Sequence, residues 1–200
     1  MALTIESGIT VEGGITAGDV PMTSIVTDGL VLYYDFSNPA SYSGTGTSIT
    51  DLSSAANNGT VVNDYSAISY AANGQTSYFN WSTNVGGSGS NQFGGCISTA
   101  STNLYQDFTM VFEPDFSVSG IAGLFGIPGD KSMRFYNNAW QAPNPGNGAF
   151  SGPTQLYVGT SGYENRNMQG NIAVVLMYDR TLTAEEQLQN FNYFESRFGL

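Results

Sequence analysis

The alternation of apolar and polar positions along the chain predicts a series of short β-strands separated by turns. Runs rich in β-branched and aromatic residues are bounded by Gly, Asn, Ser and Pro, which favour turns. The clearest runs are residues 30–36, 107–114 and 172–178. The last of these is unbroken and apolar, and such a run is covered on both faces. We therefore expect residues 172–178 to form a central strand of a packed sheet.

Weaker strand signals lie between these runs, at residues 60–62, 68–70, 77–81, 121–127, 133–136 and 156–159. Residues 121–127 and 133–136 are predicted to pair as a hairpin across the turn-forming residues 128–131. Two stretches rich in Gly and Asn, residues 86–95 and 137–152, are predicted to be loops. About a dozen short strands of this kind are typical of a two-sheet antiparallel protein.

The end of the chain changes to the spacing of a helix. Thr183 and Glu186 form a capping box, in which each side chain accepts a hydrogen bond from the backbone amide of the other residue. Gly199 is placed to end the helix. Apolar residues at three- and four-residue spacing form one stripe, Leu188, Phe191, Phe194 and Phe198. The sequence predicts one amphipathic helix that lies on a sheet.

Residues 1–28 are predicted to be a separate, extended N-terminal arm. Its apolar residues fall on one face of an extended chain, and they are Ile5, Ile9, Val11 and Ile15. We expect this face to pack on the protein's own domain or, by strand addition, on a neighbouring subunit. A flexible leader is the alternative.

Two parts of the chain carry a family resemblance. Residues 29–42 read GLVLYYDFSNPASY, followed by TDLS at 50–53 and NNGTVVN at 57–63. Residues 170–183 read GNIAVVLMYDRTLT, followed by Glu185, Glu186, Asn190 and Phe191. These segments resemble the opening and closing segments of laminin-G-like, concanavalin A-like jelly-roll domains, in the form common in phage and bacterial proteins. The resemblance implies an all-β, two-sheet antiparallel jelly-roll sandwich over residues 29–200, with one short C-terminal helix. It implies no activity, because this family is defined by scaffold residues.

Composition and charge narrow the possible functions. The formal net charge is −11 with five basic residues, which disfavours binding to nucleic acid and to anionic membranes. Cys96 is the single cysteine, so an internal disulfide cannot form, and we expect Cys96 to be a small buried residue. The first residues have neither the basic nor the apolar region of a signal peptide. These features predict synthesis and folding in a host cytoplasm.

The acidic residues do not form a recognisable reactive centre. Concanavalin A-like glycosidases, which the predicted fold resembles, use a Glu-x-Asp-x-x-Glu pattern of acids. Glu113 and Asp115 match its first two acids, but Pro114 interrupts the strand between them and Val118 stands where the resemblance implies the third acid. The chain has no His, so a Ser–His or Cys–His pair is impossible. Loop acids such as Asp51 are not clustered as calcium ligands are. We expect no enzymatic activity, no metal and no cofactor.

Residues that could bind a glycan occur in one predicted loop. Sugar sites combine an aromatic side chain with neighbouring amides, and the candidates are Tyr136, Asn138, Trp140 and Gln141. The alternative is that Trp140 packs against the prolines of its loop. Trp81 is interpreted as a core residue, and Arg180 as a structural residue that ties its turn to a carboxylate or to carbonyl groups.

The function predicted from the sequence is that of a virion structural protein. A capsid decoration, a tail component or a fibre component would be anchored by the arm and by the faces of the domain. Its partners would be other virion subunits. The alternative is a glycan-binding module that attaches a particle to a host surface.

Overall fold

The computed structural model describes residues 24–62, 68–81, 96–99, 107–114, 122–127, 131–136, 139–141, 156–160 and 169–199. These residues form twelve strands: β1 Leu30–Asp35, β2 Ser48–Ile49, β3 Gly59–Val62, β4 Ile68–Ala71, β5 Tyr78–Trp81, β6 Cys96–Thr99, β7 Asp107–Pro114, β8 Ala122–Ile127, β9 Lys131–Tyr136, β10 Ala139–Gln141, β11 Leu156–Val158 and β12 Gly170–Tyr178. They also form a short 3-10 helix, Gly74–Thr76, and an α-helix, α1, Ala184–Phe198. The fold is therefore mostly β, as the sequence predicts.

The five-stranded sheet is built around β12. One edge of β12 pairs with β7 over the whole length of the strand. The other edge is shared, because β5 pairs with the first part of β12 and β1 with the second part. The strand β4 extends the sheet beyond β5. Every pairing is antiparallel, and the prediction that residues 172–178 lie in the middle of a sheet is confirmed.

The seven-stranded sheet has the order β10-β9-β8-β11-β6-β3-β2. Its β8 and β9 pair antiparallel, which confirms the predicted hairpin, although residues 128–130 of the turn lie outside the described residues. The prediction of a continuous polar loop over residues 137–152 is wrong at Ala139–Gln141, which form β10 against β9. Trp140 is opposite Phe135 in this pair.

Both faces of β12 are buried, but by different structures. Val175 and Met177 belong to an apolar cluster that contains residues of both sheets. Val174 and Leu176 belong to a second cluster that contains Phe194 of α1. Ala173 is the extra residue of a β-bulge opposite β7, and this bulge shifts the alternation so that residues 173 and 174 face the same side. The coverage of both faces that the sequence predicts is confirmed.

The helix α1 begins and ends where the sequence predicts. The Thr183 side chain accepts from the Glu186 amide, the Glu186 side chain accepts from the Thr183 amide, and Gly199 ends the helix with φ 69°. The buried face differs from the predicted stripe. Phe194 is buried and Phe198 packs beside it, whereas the second fully buried residue of the helix is Asn190. Among the described residues, none of the helices has the length and apolar character needed to cross a membrane.

Candidate functional site

The root of the N-terminal arm, which we define as residues 24–28, lies against α1. Ile25 and Val26 are buried in the same apolar cluster as Phe194. At the exposed side, the Gln189 side chain of α1 donates a hydrogen bond to the Ser24 carbonyl at 3.0 Å. The last residues of the predicted arm therefore belong structurally to the domain. Residues 1–23, with Ile5, Ile9, Val11 and Ile15, lie outside the described residues.

A buried network of hydrogen bonds, centred on Asn190, holds the root. The Asn190 Oδ1 accepts from the Val26 amide at 2.9 Å. The Asn190 Nδ2 donates to Thr109 Oγ1 of β7 at 3.0 Å and to the Tyr178 hydroxyl of β12 at 2.9 Å. The Tyr178 hydroxyl donates to the Val26 carbonyl at 3.1 Å. Both backbone polar groups of Val26 are thus bonded to buried side chains of the helix and the sheet.

Burial also determines the electrostatics of this network. It raises the pKa of the Tyr178 hydroxyl above its usual range, because the charged phenolate would lose its hydration. The hydroxyl therefore keeps its proton at physiological pH and can donate to the Val26 carbonyl. Asn190 is neutral, so the network buries no net charge and incurs none of the large cost of an unpaired buried ion.

Arg180 ties the turn after β12 to the helix and to the root. Its guanidinium makes two hydrogen bonds to the Glu186 carboxylate, at 2.8 and 2.6 Å, and its Nε lies 2.7 Å from Asp28 Oδ2. A further bond, at 3.2 Å, reaches the Thr181 carbonyl. The structural role predicted for Arg180 is confirmed. The Arg180 guanidinium, assisted by the Thr183 amide, lowers the pKa of Glu186 from 4.5 to about 2.

A second arginine fixes the other end of α1. The Arg197 guanidinium makes two hydrogen bonds of 2.7 Å to the carboxylate of Asp35 in β1. The Asp35 side chain is only 4% exposed, so this pair is shielded from solvent far better than the pair of Arg180 with Asp28, whose side chain is 85% exposed. The helix is therefore bonded to the five-stranded sheet near both of its ends.

Three of the four residues predicted to bind a glycan lie in the paired strands β9 and β10. Tyr136 ends β9, and Trp140 and Gln141 are in β10, opposite Phe135 and Arg134 respectively. Asn138 lies outside the described residues. The strand β10 is at the edge of the seven-stranded sheet. The hairpin thus brings Tyr136 and Trp140 onto adjacent strands, and their role in binding stays a prediction.

Glu113 and Asp51, two of the acids considered for catalysis and metal binding, both accept hydrogen bonds. Glu113 is in β7 and its carboxylate accepts a hydrogen bond from Asn171 at 2.9 Å, while Asp115 lies outside the described residues. Asp51 is buried, and its carboxylate accepts four hydrogen bonds, from the amides of Tyr33, Ser53 and Asn57 and from the Ser53 hydroxyl. A carboxylate surrounded by donors organises its loop and is unsuited to a cation.

Trp81 is a core residue, as predicted, with 1% of its surface exposed. Its indole packs against Gly159, which follows β11 in the other sheet and has φ 87°. A β-carbon at residue 159 would lie 2.4 Å from the indole Cε2 atom. Cys96 begins β6 and is opposite Val62 of β3, and its predicted burial stays a prediction.

The burial and role of Asn190, on which the root depends, were not predicted from the sequence, although Asn190 belongs to the segment that carries the family resemblance. Asn190 is not one of the apolar residues of the predicted stripe. An isolated Asn in a helix is ordinarily interpreted as a solvent-facing residue. The available signal was that Asn190 lies four residues before Phe194, which places both on one helix face.

Comparisons of this chain with protein-family models, with curated proteins and with solved structures found no match. In the described part of the chain, three or more His, Cys, Asp or Glu side chains do not come together in a group that could hold a metal ion. The class that the structure defines is a mostly β protein of two antiparallel sheets with one C-terminal helix.

Proposed function

We propose that this chain is a non-enzymatic structural subunit of a virus particle, such as a capsid decoration, a tail component or a fibre component. The arm of residues 1–28 anchors the subunit, and its partners are other virion subunits. We further propose that the two sheets form the jelly-roll sandwich implied by the family resemblance.

The observation that carries this proposal is the attachment of the arm's root to the core. Segments outside the helices and strands of a domain often open locally at almost no cost in free energy. Here both backbone polar groups of Val26 are bonded to the buried side chains of Asn190 and Tyr178. An anchor transmits force to its domain only if its root stays folded under that force. The Val26 contacts suit this requirement.

The apolar face of the arm supplies the contact in this proposal. Extended segments bind exposed sheet edges through backbone hydrogen bonds, and alternate side chains fill pockets of the partner. Ile5, Ile9, Val11 and Ile15 have the alternation that this mode of binding requires. The few charged residues of the domain, 10% of the chain, leave a surface rich in neutral hydrogen-bonding groups for neighbouring subunits.

The test is incorporation into particles, measured by mass spectrometry of purified virions. A deletion of residues 2–23 keeps the root, including Ile25 and Val26, so the variant is expected to fold but to be absent from particles. Replacement of Ile5, Ile9, Val11 and Ile15 by Ser is expected to have the same effect. The matched control replaces Thr4, Glu6, Thr10 and Glu12 by Ser and is expected to be incorporated. Normal incorporation of the deletion variant would refute the anchoring role.

Glycan binding at the β9–β10 hairpin is the second candidate. It is favoured by the position of β10 at the edge of the seven-stranded sheet, where one side of the strand is unpaired among the residues that the structure describes. Loss of glycan-array binding in the variant Trp140→Ala, with thermal stability unchanged, would support it. Equal binding by the wild type and this variant would remove Trp140 from the site.

A further inference from the structure

A row of polar side chains crosses the five-stranded sheet beyond the end of α1. Asn80 of β5, Asn171 of β12 and Glu113 of β7 are direct neighbours in the strand register. The Asn80 Nδ2 donates to Asn171 Oδ1 at 2.7 Å, and the Asn171 Nδ2 donates to Glu113 Oε2 at 2.9 Å. Asn80 therefore fixes the orientation of the Asn171 amide, and Asn171 fixes the Glu113 carboxylate.

Asn171 and Glu113 of this row line a cleft of about 200 Å³. Its aromatic walls are Tyr78 and Phe198, the last residue of α1. Asn73 and Thr76, from the 3-10 helix and the residue before it, form the rim. Amide, carboxylate and hydroxyl groups thus face the same space as two aromatic side chains. Ligand sites combine apolar walls with a few oriented polar groups in this way.

The polar groups of the cleft retain hydrogen-bonding capacity. Within the described residues, Glu113 Oε1 accepts no hydrogen bond, whereas Oε2 is bonded to Asn171. The Asn171 amide has one further N–H, because an amide nitrogen carries two hydrogens. An acceptor and a donor side by side match a hydroxyl group, which donates and accepts at once.

We propose that this cleft binds a single neutral, hydroxyl-rich ring, either a sugar residue or a cyclic polyol. The volume supports one ring, since it is below the roughly 300–1,000 Å³ of pockets for larger ligands. Tyr78 and Phe198 provide the apolar surfaces against which the C–H face of a sugar packs. This site is distinct from the β9–β10 hairpin, and it does not depend on the role of the arm.

A cationic side chain is the competing occupant, and two observations disfavour it. The Arg197 guanidinium lies 4.5 Å from the centre of the Phe198 ring, so a positive charge is already beside one wall of the cleft. In addition, Asn171 already occupies one acceptor position of Glu113 Oε2, which weakens this carboxylate as a partner for the paired hydrogen bonds that a guanidinium prefers. A ligand hydroxyl requires only one oxygen.

The experiment measures binding of a panel of methyl glycosides to the intact chain by saturation-transfer NMR, together with a glycan array. The wild type is expected to bind at least one glycoside. Glu113→Ala is expected to weaken that binding about 10–100-fold, the effect of losing a hydrogen bond to a charged group. Thr76→Trp is expected to block the cleft from its rim without changing the sheet. Glu185→Ala, an exposed acid of α1, is the matched control and should bind as the wild type does.

A competition experiment distinguishes the two possible sources of the ring, the terminal sugar residue of a glycan and a free small molecule. A methyl glycoside that displaces the chain from an immobilised glycan identifies a terminal sugar residue as the ligand, and glycoside binding without array binding identifies a free small molecule. Both outcomes support the proposal. It is overturned if no glycoside binds, if both cleft variants bind as the wild type does, or if only a Lys- and Arg-rich peptide binds in a Glu113-dependent manner. Thermal unfolding of every variant verifies that it is folded.

Discussion

Replacement of Asn190 by Ala is expected to destabilise the protein strongly, although Asn190 is a polar residue in a helix. The Asn190 side chain is completely buried and makes three hydrogen bonds, to the Val26 amide, to Thr109 and to Tyr178. Alanine cannot make any of them. It would also leave an unfilled space between α1 and the five-stranded sheet.

The magnitude follows from these three bonds. The Val26 amide would be buried without its acceptor, which costs about 1–3 kcal/mol. The hydroxyl groups of Thr109 and Tyr178 would each lose one partner, at about 0.5–1.5 kcal/mol per bond. The total is about 4 kcal/mol, a large part of the roughly 5–15 kcal/mol that stabilises a typical domain. For a chain of this size the midpoint of thermal unfolding should fall by about 8–16 °C.

Urea unfolding followed by tryptophan fluorescence measures the change in the free energy of unfolding. Hydrogen exchange of the Val26 amide shows whether the lost stability comes from the hydrogen bond to Asn190. The variant Asn190→Ala should show both the loss of stability and faster exchange at Val26. Tyr178→Phe, which removes only the hydroxyl, should lose about 1–2 kcal/mol. Ser196→Ala, at an exposed position of the same helix, is the control and should change stability by less than about 0.5 kcal/mol. A loss below about 1 kcal/mol for Asn190→Ala would refute the reasoning.

Two further predictions concern the sheet contact and the helix start. Gly159→Ala should destabilise by about 2–5 kcal/mol in urea unfolding, because residue 159 has φ 87° and its new β-carbon would collide with the Trp81 indole; wild-type stability would contradict this close contact. Because Arg180 lowers the pKa of Glu186 from 4.5 to about 2, the pair contributes stability above about pH 4.5 and loses that contribution as the pH falls towards 2. Thermal unfolding of Glu186→Gln should therefore show a weaker pH dependence over this interval than the wild type, with Glu185→Gln as control; identical pH profiles for Glu186→Gln and the wild type would contradict the pairing.

The features that the sequence predicted correctly depend on neighbours in the chain. The capping box of Thr183 and Glu186 and the helix end at Gly199 involve residues a few positions apart, so their spacing is sufficient evidence. The apolar run at residues 172–178 indicates that both faces of the strand are buried, and this conclusion does not require knowing which elements bury them. Nine of the twelve described strands and the helix could therefore be located without knowledge of the tertiary structure, whereas the short strands β2, β6 and β10 were not predicted.

The candidate sites depend on strand register and on helix rotation, which no local pattern specifies. Asn80, Glu113 and Asn171 are 33 and 58 residues apart in sequence order, and only the pairing of β5, β12 and β7 makes them neighbours. Asn190 is buried because α1 is rotated so that its Asn190 and Phe194 side faces the sheet, away from the centre of the apolar stripe. The chain alone therefore determined the longer strands and the helix, because those preferences are local. The tertiary structure alone decided which polar side chains meet, because their contacts depend on the packing of distant segments.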